Sequence, residues 1–116
     1  MIKASYWAYD FTCDQQIEAI LAAFNAAGPW QWELRDSAVY GDYLSCRPGE
    51  GVRVRVHEYP QTGAYGTVVG LRDKGFSALL RIDPEGMATR SGIDGIFRSL
   101  MQAIDAKNMA EIEPYD

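Results

Sequence analysis

The chain has 116 residues, which is enough for one domain of ordinary size and too few for two. Apolar residues make up 47% of the chain and charged residues 23%, a balance that excludes an intrinsically disordered protein. No stretch approaches the ~20 apolar residues of a membrane span, and the formal net charge of −5 argues against nucleic acid as a partner.

The first third of the chain predicts a strand followed by a helix. Residues 2–9 alternate with a period of two, as in a strand. Thr12 and Gln15 have the spacing of a capping box, and a stripe of apolar residues at helical spacing follows them. Gly28 and Pro29 then predict the end of the helix, since glycine can adopt a left-handed cap and proline cannot continue the helix. The stripe consists of Ile17, Ile20, Leu21, Phe24 and Ala27.

The middle of the chain predicts a group of strands. Trp30, Trp32 and Leu34 alternate with polar residues, and residues 43–47 form a further short strand. Residues 52–59 are the clearest strand, because valines alternate with polar residues along their whole length. Strands are also predicted at 67–71 and 76–83, with turns at 48–51 and 72–75.

A second amphipathic helix is predicted from Ser91, with Asp94 at the capping-box position and a stop at Asn108. Residues 109–116 predict either an edge strand or a flexible acidic tail. No shift in composition divides the chain, so residues 1–116 are predicted to form a single domain. The stripe of the second helix consists of Ile93, Ile96, Phe97, Leu100 and Ile104.

This order of elements predicts an α+β fold. We expect a mostly antiparallel twisted sheet of five to six strands, with two amphipathic helices on one face. A split β-α-β arrangement, ferredoxin-like with an enlarged meander, is one topology compatible with the order.

The most informative pattern is the polar side of the two strands that flank the turn at 48–51. If the turn joins these strands in register, their apolar side packs under the helices and their polar side forms one face. A strand that places Arg53, Arg55 and His57 side by side repels itself, so another group must compensate the charge. The candidate binding face consists of Tyr43, Arg47, Arg53, Arg55, His57 and Tyr59.

Three forms of compensation are open. Acidic residues such as Glu33 on a neighbouring strand could interleave and leave a solvated face, in which each exposed pair contributes ~0–1 kcal/mol. The face could instead dock an acidic partner, including a second copy of the chain, because Arg and Tyr are favoured at the centres of interfaces. It could also hold a small anion through forked guanidinium contacts.

Aromatic residues suggest a second candidate surface. Seven Tyr, three Trp and four Phe make up 12% of the chain. Both faces of the first predicted strand are apolar or aromatic, and two helices cover only one face of the sheet. Some rings should therefore remain exposed for a partner. The candidate aromatic patch consists of Trp7, Tyr9, Trp30 and Trp32.

No pattern for catalysis or cofactor binding is visible. The single histidine and the two cysteines lack the spacing of a metal site, and the glycine pairs lack the context of a phosphate-binding loop. We therefore expect no metal and no cofactor, assign no catalytic residue, and favour a protein that is not an enzyme. Cys13 and Cys46 form no disulfide framework, and the first ten residues contain no signal-peptide core, which predicts a cytoplasmic protein.

The leading hypothesis is a small, non-catalytic protein-binding module of the inhibitor, immunity, adaptor or dimerising-subunit type. It would bind another protein, or a second copy of itself, through the Arg/Tyr face and the exposed aromatic residues. The alternative is a small anionic-ligand-binding protein or small enzyme, in which Arg53 and Arg55 hold the ligand and His57 is the acid or base. A nucleic-acid binder is the third hypothesis, which the net negative charge disfavours.

Overall fold

The structure, a computed structural model, describes residues 4–37, 41–58 and 74–113. These residues form six strands and two helices: β1 (Ser5–Cys13), α1 (Ile17–Ala27), β2 (Trp32–Ser37), β3 (Gly41–Cys46), β4 (Val52–Glu58), β5 (Lys74–Ile82), α2 (Arg90–Ala103) and β6 (Lys107–Ile112). The strands form one sheet in the order β2-β3-β4-β5-β1-β6, and each is antiparallel to its neighbours. The predicted α+β fold is confirmed.

Each helix connects two strands that are not neighbours in the sheet. α2 carries the chain from β5 to β6, and β1 lies between these two strands. α1 carries the chain from β1 to β2, which lies at the edge of the sheet opposite β6. From β2 the chain returns through β3 and β4 to β5, each strand next to the one before it. This is a split β-α-β arrangement with an enlarged meander, as the order of elements allows.

Both helices pack on the same face of the sheet. In α1, Phe24 contacts Trp32, with ring centroids 4.8 Å apart. In α2, Phe97 stacks on Tyr9 at 5.7 Å. One row of paired residues across five strands lies on this face and is buried throughout: Trp32, Cys46, Val54, Leu80 and Trp7.

The start of α1 differs from its prediction. β1 continues to Cys13, so Thr12 lies in a strand and its hydroxyl donates to the Lys107 carbonyl. The helix begins at Ile17 without a side-chain cap, and Gln15 donates its amide to the Ile104 carbonyl instead. The capping box at this position is therefore wrong, because the Thr12 side chain bonds to the start of β6 and the Gln15 side chain bonds to the C-cap of α2.

Gly28 does end α1, but for a reason other than the predicted left-handed cap. Its backbone is extended, with φ −121°, and its N–H donates to the Phe24 carbonyl at 3.2 Å. A Cβ atom at this position would lie 2.8 Å from Cδ2 of Leu100 in α2. Close packing of the two helices therefore favours glycine here.

The second helix also begins at a different residue from the one predicted. Its N-cap is Thr89, whose hydroxyl accepts from the Gly92 N–H at 3.1 Å, so the capping box from Ser91 to Asp94 is wrong. The helix ends at Ala103, and Asn108 lies in β6 with φ 56°. Of the two alternatives for the C-terminal segment, the structure shows an edge strand as far as Ile112. The strand predicted at 67–71 lies outside the described residues.

The β3–β4 turn packs closely against the end of β5, and Gly51 is central to it. Gly51 has φ 74°, and its carbonyl accepts from the Asp83 N–H at 2.7 Å. A Cβ on Gly51 would lie 3.0 Å from the Cα of Gly86, whereas a Cβ on Gly49 would meet nothing within 4 Å. The two glycines of this turn thus offer a matched pair for substitution.

We expect Gly51→Ala to lower the free energy of unfolding by about 1–3 kcal/mol, because alanine is strained at positive φ and its Cβ meets backbone. Urea denaturation followed by circular dichroism measures this change. Gly49→Ala should be nearly neutral. Equal effects of the two substitutions would contradict the prediction.

Candidate functional site

The face of the sheet opposite the helices is predominantly polar and carries the predicted arginines. Its centre consists of two rows of paired residues that cross β2, β3, β4, β5 and β1. They are Glu33, Ser45, Arg55, Leu79 and Ala8, and Arg35, Tyr43, His57, Ser77 and Asp10. We call this surface the open face. Tyr43 lies opposite His57 and Ser45 opposite Arg55, which is the hairpin register that the sequence predicts.

Four arginines form the most basic part of the open face, and we call them the arginine cluster: Arg47, Arg53, Arg55 and Arg81. Arg53 lies directly opposite Arg81 in the β4–β5 pair. Arg81 is compensated, because its guanidinium pairs with Asp83 and lies 5.1 Å from the ring centre of Tyr6. Arg47 and Arg53 are exposed, and neither forms a hydrogen bond or ion pair with a residue that the structure describes.

The floor beneath the arginine cluster is apolar. Leu79 is only 4% exposed and Ala8 is fully buried, although both lie on the open face and outside the core cluster under the helices. Leu79 lines a hollow with Arg53, Arg55 and Arg81. Guanidinium groups around a buried apolar centre are typical of protein interfaces, whose centres are apolar and rich in arginine.

The hollows of this surface are small. The hollow above Leu79 has a volume of about 10 Å³, which is about the space one water molecule needs. The next, of about 190 Å³, lies between Arg47 and Arg53 at the β3–β4 turn and also contains Glu50 and Asp83. Within the described part of the face, these hollows are smaller than the ~300–1,000 Å³ of ordinary small-molecule sites.

His57 lies beside the arginine cluster. Burial lowers the pKa of His57, the neighbouring Arg55 lowers it further, and Asp10 opposes them. His57 is therefore neutral near pH 7. Asp10 itself accepts a hydrogen bond of 2.6 Å from the buried Ser77 hydroxyl.

The lowered pKa of His57 makes stability depend on pH. As the pH falls below about 6.5, the unfolded chain binds a proton at His57 before the folded protein does. The contribution of the neutral His57 to the free energy of unfolding is therefore fully present above about pH 6.5, and it is lost as the pH falls below that value. We expect the urea midpoint to fall between about pH 7.5 and about pH 5.5, and to fall less in His57→Gln. An unchanged pH dependence in the variant would contradict this.

The predicted aromatic patch is wrong, because the structure buries all of its members. Trp7, Tyr9, Trp30 and Trp32 are 1%, 2%, 6% and 4% exposed. Trp7, Tyr9 and Trp32 lie at strand positions on the face that carries the helices, and Trp30, which precedes β2, packs on Trp32 with ring centroids 6.1 Å apart. All four belong to the core cluster. The exposed aromatic residue of β1 is Tyr6, which is 38% exposed on the open face. Tyr59, the last member of the predicted binding face, lies outside the described residues.

Sequence reasoning missed Arg81, Tyr6 and Leu79 as members of this site. Arg81 and Leu79 alternate with apolar core residues in the strand predicted at 76–83, so their common face could have been found. Their position beside Arg53 and Arg55 could not, because residues 59–73 separate β4 from β5 and no short turn fixes the register.

A second polar cluster, also missed, lies at the boundary between β1 and α2. The Asp94 Oδ1 atom accepts from the Trp7 indole N–H at 3.0 Å and from the Tyr9 hydroxyl at 2.6 Å. Its Oδ2 atom accepts from Arg98 Nε at 2.7 Å, and Arg98 also donates to the Tyr9 hydroxyl at 3.1 Å. Because every group has its partner within the cluster, we assign it to holding α2 on the sheet.

Burial and hydrogen bonding act in opposite directions on the charge of Asp94. Burial alone would raise the pKa of Asp94, but the hydrogen bonds from Tyr9, Arg98 and Trp7 outweigh it and hold the pKa below its usual range. The pKa of Tyr9 is raised, first by burial and then by Asp94. The cluster is therefore stable with Asp94 ionised and Tyr9 neutral.

Comparison with protein-family models and with curated protein sequences gives no match, so the functional argument depends on the geometry. Among the residues with a described position, no group of three or more His, Cys, Asp or Glu side chains could hold a metal ion. None of the helices in that part of the chain has the length and apolar character needed to cross a membrane.

Proposed function

We propose that this protein is a non-catalytic protein-binding module that docks an acidic protein surface on its open face. The observation that carries the proposal is that Arg47 and Arg53 are exposed without a hydrogen bond or ion pair to any residue that the structure describes, and that Arg53 lines a hollow with the apolar Leu79. An inhibitor, immunity or adaptor protein, or a subunit of a larger assembly, would use such a face. The exposed aromatic residues of the original hypothesis are not part of this proposal, because they lie in the core.

The positions of the charges support docking over a simple solvated surface. Arg53 faces Arg81 across the β4–β5 pair, and like charges that are directly opposite destabilise a sheet. A partner with carboxylates over this point would compensate the exposed Arg53, which lies opposite the Asp83-paired Arg81. Electrostatic complementarity of this kind increases the rate and specificity of association.

A small anionic ligand fits the same face less well. Three members of the arginine cluster line the hollow above Leu79, but its volume of about 10 Å³ is too small for a ligand larger than a water molecule. The larger hollow beside Arg47 and Arg53 also contains Glu50 and Asp83, whose negative charges would oppose an anion. A broad acidic protein surface can place its carboxylates over the arginines and avoid these two groups.

The test compares Arg53→Glu with a matched control, Lys107→Glu. Both substitutions reverse one exposed charge on a strand, but Lys107 is in the edge strand β6. A protein retained by the immobilised wild type from native lysate would be purified, and its affinity measured for all three proteins. We expect Arg53→Glu to weaken binding at least ~10-fold, Lys107→Glu to leave it unchanged, and added salt to weaken it. Equal binding by all three, or no retained protein, would contradict the proposal.

A substitution of Arg53 that introduces no negative charge has a second expected effect that requires no partner. Arg53→Gln should raise the free energy of unfolding by about 0.2–1 kcal/mol, because it removes the repulsion from Arg81 and places no negative charge beside Glu50 and Asp83. A wild-type residue that weakens the isolated fold but strengthens binding is expected at a functional surface. Chemical denaturation of wild type and variant measures the change, and a destabilised Arg53→Gln variant would indicate that Arg53 serves the fold instead.

We place this module in the cytoplasm as part of the proposal. Cys13 and Cys46 are buried and form no disulfide, and burial raises the pKa of Cys46 to about 12, which keeps it an unreactive thiol. Cysteines kept as thiols fit a reducing compartment.

A further inference from the structure

The strand β2 forms one edge of the described sheet, and the side chain of Asn25 fixes which of its backbone groups face outward. Asn25 Oδ1 accepts from the Trp32 N–H at 2.7 Å, and its Nδ2 donates to the Trp32 carbonyl at 3.3 Å. Both backbone groups of Trp32 therefore point away from β3. Since these directions alternate along an antiparallel strand, the N–H and C=O groups of Leu34 and Asp36 also point outward.

The side chain of Leu34 is exposed at the same edge. Leu34 is 39% exposed, although it shares a face with the buried Trp32 and lies opposite the fully buried Leu44. An exposed leucine beside outward backbone groups is the arrangement to which another strand can add.

The charges on either side of Leu34 have opposite signs, so they are complementary to the same charges on an antiparallel second copy of β2. Glu33 and Arg35 flank Leu34 and both project from the open face. Within one chain they form an ion pair, Arg35 Nη2 to Glu33 Oε2 at 2.8 Å, but their side chains remain 67% and 56% exposed, so each can also contact a charge on a neighbouring strand. When two copies of β2 pair antiparallel with Leu34 opposite Leu34, Glu33 of each copy lies opposite Arg35 of the other. Opposite charges directly across an antiparallel pair are stabilising.

We propose that the edge of β2, which no described strand covers, pairs with β2 of a second copy of this chain, antiparallel and centred on Leu34, to form a symmetric dimer with one continuous sheet. The two Leu34 residues exchange a pair of backbone hydrogen bonds at the symmetry axis. Asn25 limits the number of hydrogen bonds between the two copies of β2, because its side chain already binds the outward N–H and C=O groups of Trp32. A reversible dimer is therefore expected rather than a permanent one.

The opposite edge of the sheet is less suitable for strand addition. The pairing of β6 with β1 shifts register between Asp10 and Thr12, and Asn108 in β6 has φ 56°. Such irregularities disrupt the regular ladder that strand addition requires. The self-complementary edge is therefore β2.

The dimer would have a defined geometry. Antiparallel pairing of two identical edges has a two-fold axis perpendicular to the sheet, so the open faces of both copies lie on the same side. The inference does not depend on the proposed function, because β2 pairs through its edge and leaves the arginine cluster uncovered.

The test uses two charge reversals that should each abolish self-association and restore it when mixed. Glu33→Arg places arginine opposite Arg35 of the second copy, and Arg35→Glu places glutamate opposite Glu33. In a mixture, each arginine of the first variant faces a glutamate of the second. Sedimentation equilibrium over a concentration series measures the mass, after circular dichroism has shown that both variants fold.

We expect wild type to approach twice the monomer mass with rising concentration, each variant to remain monomeric, and the equimolar mixture to form a heterodimer. The amide hydrogen of Leu34 should also exchange more slowly as the wild-type dimer forms. A wild type that stays monomeric at every concentration would overturn the proposal. Self-association that persists in both variants, or single variants that fail to pair with each other, would also overturn it.

Discussion

Replacing Asp94 with alanine is expected to lower the free energy of unfolding by about 2–4 kcal/mol. The substitution leaves the buried Trp7 indole N–H and the Tyr9 hydroxyl without their acceptor, and it removes the ionic partner of Arg98. Buried donors without a partner are costly, and hydrogen bonds to a charged group contribute more than neutral ones. Thermal or urea denaturation of the variant measures the loss.

Asp94→Asn is the appropriate companion variant, because its one amide oxygen can still accept from Trp7 and Tyr9, whereas its NH2 group cannot accept from Arg98. We expect its loss of stability to be smaller than that of Asp94→Ala. The wild type should also lose stability as the pH falls below the usual pKa of an aspartic acid, about 4, since the folded-state pKa of Asp94 is lowered. That acid dependence should be weaker in Asp94→Asn. If Asp94→Ala unfolds at the wild-type midpoint, the cluster does not hold α2 on the sheet.

Phe97→Ala is expected to cost about 3–5 kcal/mol, the largest effect of any single substitution considered. Phe97 is completely buried, and its ring stacks on Tyr9 at 5.7 Å. Truncation would leave a cavity between α2 and the sheet and would remove the ring that holds Tyr9 against Asp94. The midpoint of urea denaturation should decrease, with partial loss of structure near physiological temperature.

The control for Phe97→Ala is Gln102→Ala on the exposed side of the same helix. It should change the free energy of unfolding by no more than about 0.5 kcal/mol, because the surface side chain has no buried partner. A Phe97→Ala variant within about 1 kcal/mol of wild type would show that the two layers are not coupled through this ring.

The fold class could be predicted from the spacing of apolar residues, because the period of two typical of strands and the helical period are both clear in this chain. The valines at Val52, Val54 and Val56 are all buried, and the arginines between them lie on the open face. The short turn at 48–51 fixed the β3–β4 register, so Tyr43 opposite His57 was also predictable. Local turns and alternation therefore predict neighbouring strands well.

The start of α1 could not be predicted, because tertiary contacts took the predicted capping side chains, whereas α2 has a local cap in Thr89 that the prediction at Ser91 overlooked. Gln15 donates to Ile104, nearly the whole chain away, and Asp94 binds Trp7 and Tyr9 of β1. Nothing local to either helix indicates these partners. The prediction that the tryptophans are exposed was wrong because the first strand is apolar on both faces. Its sequence therefore does not show which face packs against the helices, and long-range packing decides it.

The position of β1 in the sheet has a consequence for how the chain folds. β1 pairs only with β5 and β6 among the described strands, from Ser5 opposite Ile82 to Ala8 opposite Ile112. The earliest of these strands to leave the ribosome therefore has no described partner strand until β5 has been synthesised. Pairing between such distant segments slows folding, because loop-closure entropy is lost before the contacts form. During translation, the apolar side of β1 would remain available to chaperones until α2 and β6 emerge.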